Sequence, residues 1–179
     1  MVMKQKFTRE EFIAKWRELK GFAPMYYDGH LVVTDGIDLN YSFGTEADEW
    51  YRRLLREGDE SLLWKEDLAS EVTLRSGDGC LILALPEGVV RVTDVRLTGW
   101  RRRARVVDDP ESIIAQRQLH PYTRSCSDNP VAVYYPDNSL ALYPAEGDER
   151  LAELKCVVMR DDEYAFDTAA LAPIVAENK

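Results

Sequence analysis

Apolar residues recur along this chain at two different periods, and the point where the period changes divides it. Near the N-terminus Phe12, Ile13, Trp16 and Leu19 fall three and four residues apart, the apolar stripe of a helix whose wet face carries Arg9, Lys15 and Glu18. Thr8 with Glu11 reads as a capping box, Phe7 with Phe12 as the hydrophobic staple across it, and Gly21 as the stop. The stretch Phe22 to Phe43 is aromatic and turn-rich, an ordered connection with one short strand candidate, His30 to Thr34. Thr45 reads as a second N-cap, with Glu46 and Asp48 in the first turn of a helix that runs to about Glu57. Trp50 with Leu54 and Tyr51 with Leu55 are i, i+4 pairs on it, and Arg52, Arg53 and Arg56 lie toward its C-terminal end, where the dipole favours cations. Leu62 to Leu68 is expected to add a third, shorter helical turn.

From Ser70 the period becomes two, and Gly77, Gly79, Gly88 and Gly99 cut the run into short strands. Val72 and Leu74 alternate with polar residues, Leu81 to Leu85 is an apolar run suited to a buried strand, and Pro86-Glu87-Gly88 is a turn. Val90 and Val92 share one face while Val95 and Leu97 continue on the opposite phase, so a bulge or bend is expected near Thr93-Asp94, either within one strand or between two. Arg103 to Val107 reads as a charged edge strand. Asp109 as N-cap and Pro110 at the first helical position open a short helix carrying Ile113, Ile114 and Leu119, followed by a polar loop, His120 to Asn129. Val131 to Tyr135, the turn Pro136-Asp137-Asn138-Ser139 and Leu140 to Tyr143 form the clearest hairpin. After a second turn at Pro144 to Glu149, Ala152, Leu154, Cys156 and Val158 line one face of a long strand. The centre of the fold is therefore expected in the run Val131 to Met159. Beyond Asp161, Pro173 permits a helix in the alanine-rich Thr168 to Ala176 only if the helix starts close by.

The fold class that follows is α+β, N-terminal helices packed on an antiparallel, sandwich-like β part with hairpins. One domain, 1-179, is expected, with a mainly helical part over 1-68, a β-rich part over 69-160 and a tail or short helix over 161-179. A length of 179 residues agrees with one respectable core, since such a chain buries roughly two-thirds of its unfolded surface. With 45% hydrophobic and 31% charged residues nothing points to disorder. A net charge of −9, from 32 acidic against 23 basic residues, sets the averaged field against phosphate polymers and anionic membranes. No apolar run approaches the length of a membrane span, and Met1 to Glu11 lacks a signal-peptide core. Cys80, Cys126 and Cys156 are odd in number and far apart, which argues for a reducing compartment rather than a disulfide framework.

No catalytic, cofactor or metal constellation is expected. The acidic clusters Asp161-Asp162, Asp108-Asp109 and Glu57 with Asp59 and Glu60 lack EF-hand spacing, and neither His30 nor His120 has a partner at ligand spacing. Ser76-Gly77-Asp78-Gly79 precedes a strand, whereas a phosphate cradle precedes a helix. Ser125-Cys126-Ser127 near His120 lacks the surroundings of a nucleophile elbow or a cysteine-protease site. The one local departure from the acidic average is Trp100, Arg101, Arg102, Arg103 and Arg105. These residues form either an edge strand protected by charge or a contact surface for phosphates or for carboxylates of a neighbouring protein, the protein contact being preferred because the whole chain is acidic.

Ser-Gly-Asp-Gly at 76 to 79 leads an apolar strand into Leu85-Pro86-Glu87-Gly88. Val-Arg-Val-Thr-Asp-Val at 90 to 95, Gly99-Trp100, a basic strand and Asp-Asp-Pro at 108 to 110 follow. Then come Asn129-Pro130-Val131-Ala132-Val133-Tyr134-Tyr135 and Leu140-Ala141-Leu142-Tyr143-Pro144. In this order the features resemble the β-region of head-to-tail adaptor, or ring, proteins of tailed bacteriophages, especially short-tailed ones. The resemblance covers roughly residues 45 to 160 and consists of patterns rather than an invariant signature. It departs at the C-terminal end, where such adaptors often continue into further long helices. It implies a virion component assembled in the host cytoplasm, a homo-oligomeric ring expected to be a dodecamer. That ring would dock on the portal protein and support a tail, nozzle or second ring protein. DNA would only pass through its channel, without sequence-specific binding, membrane or cofactor. In such a ring the interface is heterologous, and Arg101 to Arg105 meeting an acidic patch is one form it would take.

A second reading from the residues is a cytosolic, non-catalytic α+β binding or accessory module. It would hold a ligand or peptide with the loop Leu119 to Asn129 or the aromatic segment Phe22 to Tyr41.

Overall fold

The structure is a computed structural model and describes residues 4–21, 39–146 and 148–177; the strand candidate His30 to Thr34 and most of the aromatic segment Phe22 to Tyr41 lie outside them. In chain order the elements are β1 (Lys4–Thr8), α1 (Arg9–Leu19), α2 (Leu39–Glu57), β2 (Glu66–Asp67), β3 (Leu74–Ser76), β4 (Leu81–Ala84), β5 (Val89–Leu97), β6 (Arg105–Val107), α3 (Ile113–Gln118), β7 (Val131–Tyr135), β8 (Ser139–Tyr143), β9 (Leu151–Val158), β10 (Glu163–Asp167), a 3-10 turn (Thr168–Leu171) and α4 (Ala172–Glu177). The class is α+β. The chain forms two compact units, one of residues 1–64 with 159–179 and one of residues 65–158.

In the first unit the capping box forms as its residues dictate: Thr8 Oγ1 accepts from the Glu11 amide, the Glu11 carboxylate accepts from the Thr8 amide, and the Phe7 and Phe12 rings close the staple at 6.2 Å. The alternating Lys4–Thr8, which precedes that cap, is itself a strand, paired antiparallel with β10. Its Phe7 joins Phe12, Trp16, Trp50, Tyr51, Tyr164 and Phe166 in one aromatic core, with Phe12 and Phe166 fully buried. The C-terminal segment thus begins with an unexpected strand, on which this core is built, and ends in a short helix, one of the two forms expected for it. Pro173 stands one residue inside α4, where its missing N–H is tolerated.

Two expectations in this unit are corrected. α2 begins at Leu39, and Thr45 is interior to it, its hydroxyl donating back to the Tyr41 carbonyl at 3.0 Å instead of capping. Gly44 of α2 belongs to the α1–α2 contact: a Cβ there would stand 3.3 Å from Ile13 Cδ1. Leu62 to Leu68 is not helical. Its backbone is consumed by strands, Leu63 bridging Phe166, the Leu62 carbonyl accepting from Asp167, and Glu66–Asp67 pairing with β9.

In the second unit a five-stranded sheet, in the order β3-β4-β8-β7-β6, and a three-stranded sheet, β2-β9-β5, enclose one core. Leu81, Leu83, Leu140 and Leu142 come from the first sheet and Val95, Leu97, Leu154 and Cys156 from the second. α3 covers the other face of the five-stranded sheet through Ala115 and Ile114, which meet Val131, Val133, Ala141 and Tyr143. Burial on both faces is why β7 and β8 are almost continuously apolar.

The β7–β8 hairpin forms as expected. Asn138 takes the left-handed position at φ 62, its side chain accepting from Tyr134 Oη at 2.8 Å and donating to the Leu85 carbonyl at 3.0 Å. The run Val131 to Met159 does not stay together, however: β8 pairs with β4 and β7, while β9 crosses to the other sheet and pairs with β5 and β2. β5 is one strand, and its register against β9 shifts at three places, between Val89 and Arg91, between Val92 and Asp94, where the change of apolar phase predicts it, and between Arg96 and Leu97. β6 starts at Arg105 and runs parallel to β7. Asp109 caps a turn rather than a helix, its carboxylate accepting from Glu111; α3 is capped by Ser112, whose hydroxyl accepts from Ala115.

Candidate functional site

The basic segment after β5 enters the chain at a turn. Trp100 is 3% exposed, its indole Nε1 donating to the Pro144 carbonyl at 2.8 Å, so it is a core residue and presents no ring to a partner. Arg101 is exposed; its backbone donates to the Ser127 carbonyl and its guanidinium meets Asp128 at 3.3 Å. Arg103 is held more firmly. Nε and Nη2 form a bidentate fork on Glu153 at 2.9 and 2.8 Å, and Nη1 reaches Asp94 at 2.9 Å.

This fork belongs to a five-residue ionic network on the β5–β9 sheet. Lys155 meets Glu153 at 2.8 Å, and Lys65 meets Asp94 at 3.5 Å. Lys155 first and then Arg103 hold the Glu153 carboxyl below its ordinary value, and Glu153 in turn raises Arg103. Arg102 and Arg105 are exposed, and their side chains have no partner among the described residues. β6, which carries Arg105, is the terminal strand of its sheet. Of the four arginines the segment offers, two are therefore committed within the chain and two face solvent, Arg102 in the bend before β6 and Arg105 on that terminal strand.

Around the polar loop His120 to Asn129, Arg124 does structural work that its sequence context does not announce. Its Nε donates to the Gln118 carbonyl at 2.9 Å and its guanidinium lies over the Tyr143 ring and against Gly79, at φ +65, where a Cβ would fall 1.6 Å from Arg124 Nη1. Cys126 is exposed, and no hydrogen bond joins the His120 side chain to Ser125, Cys126 or Ser127. Burial raises the Cys80 thiol, and burial aided by Asp67 pushes Cys156 up to about 12. Ser76-Gly77-Asp78-Gly79 is the β3–β4 turn, with the Gly77 amide donating to the Cys80 carbonyl. Among the described residues no group of three or more His, Cys, Asp or Glu side chains could hold a metal ion, and no helix is long and apolar enough to cross a membrane.

The first unit holds an arrangement the sequence does not signal, because its parts lie on α1, α2 and β10. Asp48 accepts from Arg9 at 3.0 Å and from the Tyr164 hydroxyl, and Tyr51 Oη accepts from the Ala165 amide at 3.1 Å. Burial, then Asp48, pushes Tyr164 up to about 12. This triad is one wall of a cleft of about 370 Å³. Neither a protein-family model nor a curated protein matches the chain.

Proposed function

We propose that this protein is a virion structural component, a head-to-tail adaptor that assembles as a ring around the DNA channel, docks on the portal and supports the next tail component. The observation that carries the reading is that the segments bearing the resemblance meet in one core. The Leu85 amide of the leucine-proline turn donates to the Asn138 carbonyl at 2.9 Å, the Asn138 side chain donates back to Leu85, and Trp100 of the glycine-tryptophan pair donates to Pro144. Patterns 44 to 53 residues apart thus meet within one folded unit.

Arg102, in the bend before β6, and Arg105, on that terminal strand, have no side-chain partner among the described residues and can meet an acidic patch of a neighbouring subunit; Arg103 is not free to, because Glu153 and Asp94 already hold it. Native mass spectrometry of the purified chain, alone and mixed with a portal ring, tests the reading. A ring-sized assembly on the portal is expected. A chain that stays monomeric and ignores the portal would sink it. Charge reversal at Arg102 and Arg105 together should lower ring assembly, and unchanged assembly would remove the contact while leaving the adaptor reading standing.

The second reading, a non-catalytic binding module, draws on the fully exposed Tyr122 and the half-exposed Leu119 beside the polar loop. The monomeric outcome would favour it.

A further inference from the structure

Three arginines, Arg9, Arg52 and Arg160, and three aspartates, Asp48, Asp161 and Asp162, line the cleft of the first unit, so the cleft is neutral as a whole and offers no net attraction to a polyanion. Within it the charges are unevenly used. Arg9 and Asp48 neutralise one another, and Tyr164 occupies the second Asp48 oxygen. Arg160 joins Glu163 through a backbone bridge in the turn that leads to β10, and it is not without a partner.

That leaves Arg52, exposed on α2, and Asp161 with Asp162, exposed at the tip of the turn, where Asp162 takes the left-handed region at φ 59. None of these three side chains has a hydrogen bond or ion pair among the described residues, although all line the same cleft. Opposite charges that share a cleft without meeting stay hydrated, and both are free to pair with a ligand that carries the complementary pair. Met159, 37% exposed, and the largely buried Tyr51 and Tyr164 also line the cleft and give it apolar surface.

We propose that this cleft is a docking site for a protein segment that carries an acidic and a basic side chain a few residues apart. The carboxylate pairs with Arg52, the cation pairs with Asp161 and Asp162, and the intervening aliphatic carbons lie against Met159. The site depends only on the first unit and does not rest on the adaptor reading.

The test is titration of the isotope-labelled full chain, followed by amide NMR, with three blocked peptides, acetyl-Glu-Ala-Lys-amide, acetyl-Glu-Ala-Gln-amide and acetyl-Gln-Ala-Lys-amide, and with inorganic phosphate. The mixed-charge peptide should move the amides of Arg52 and of Asp161 to Tyr164. Each singly charged peptide should bind about fivefold more weakly, the loss expected for one exposed ion pair, and added salt should weaken all three. Arg52→Gln should abolish the preference for a glutamate in the peptide. Asp161→Asn with Asp162→Asn should abolish the preference for a lysine and let phosphate bind. All three positions are exposed on the surface, so these variants should fold. No response to the mixed-charge peptide, equal responses to all three, or stronger binding of phosphate to the unaltered chain would each overturn the proposal.

Discussion

Trp100 Nε1 donates to the carbonyl oxygen of Pro144 at 2.8 Å, and this bond ties the turn after β5 to the chain leaving β8, so the two sheets of the second unit are linked by a polar contact at the margin of their shared core. Trp100→Phe keeps most of the apolar area but leaves that carbonyl without its donor. The expected loss is about 1 to 3 kcal/mol, read as a lower urea midpoint at unchanged slope. Trp100→Ala should cost about 3 to 5 kcal/mol, since it also opens a cavity. A Phe variant as stable as the parent would show that the bond contributes nothing.

Asn138 combines a left-handed backbone with two side-chain bonds. Asn138→Gly retains the backbone and loses the bonds, for an expected cost of about 1 to 2 kcal/mol. Asn138→Ala adds the strain of a Cβ at positive φ, about 1 kcal/mol more. Thermal unfolding of both variants checks the order, and an Ala variant more stable than the Gly variant would contradict it.

Glu153 sets a pH dependence. Its carboxyl lies below the ordinary 4.5 in the folded chain, Lys155 contributing most and Arg103 next. A carboxyl with a lowered folded pKa stabilises the fold above its unfolded value, and that contribution disappears as the pH falls through the lower, folded one. The stability gap between the parent and Glu153→Gln should therefore be constant at neutral pH and close on acidification below 4.5. A gap that persists unchanged into strong acid would mean that packing, rather than charge, explains it.

Cysteine chemistry should be confined to one position. Cys126 is exposed, while Cys80 and Cys156 are buried with raised thiol pKa values, Cys156 at about 12. A thiol reagent at mildly alkaline pH should label one cysteine quickly in the folded chain and three after denaturation, and Cys126→Ser should remove the fast phase. Rapid labelling of a second thiol would show that a sheet opens on that timescale.

The features legible in the sequence are those whose partners are close along the chain. Thr8 and Glu11 cap α1, the Pro136 to Ser139 turn brings β7 onto β8, and the change of apolar phase after Val92 marks one of the three register shifts of β5, because each is decided within a few residues by backbone geometry. The open edge beside Arg105 was also legible, since a run of arginines does not pair well inside a sheet.

Only the tertiary structure decided which strand pairs with which and which charges remain free. β9 alternates as well as any neighbour of β8 would, yet it joins β5, and the chain after Asp161 becomes β10 against β1 at the opposite end of the sequence. Trp100 is withdrawn into the core and Arg103 is taken up by Glu153, fifty residues away. Arg52, Asp161 and Asp162 come to line one cleft. Alternation states that a strand has an apolar face, but the partner is set by which distant faces must be buried together, and no local spacing encodes that.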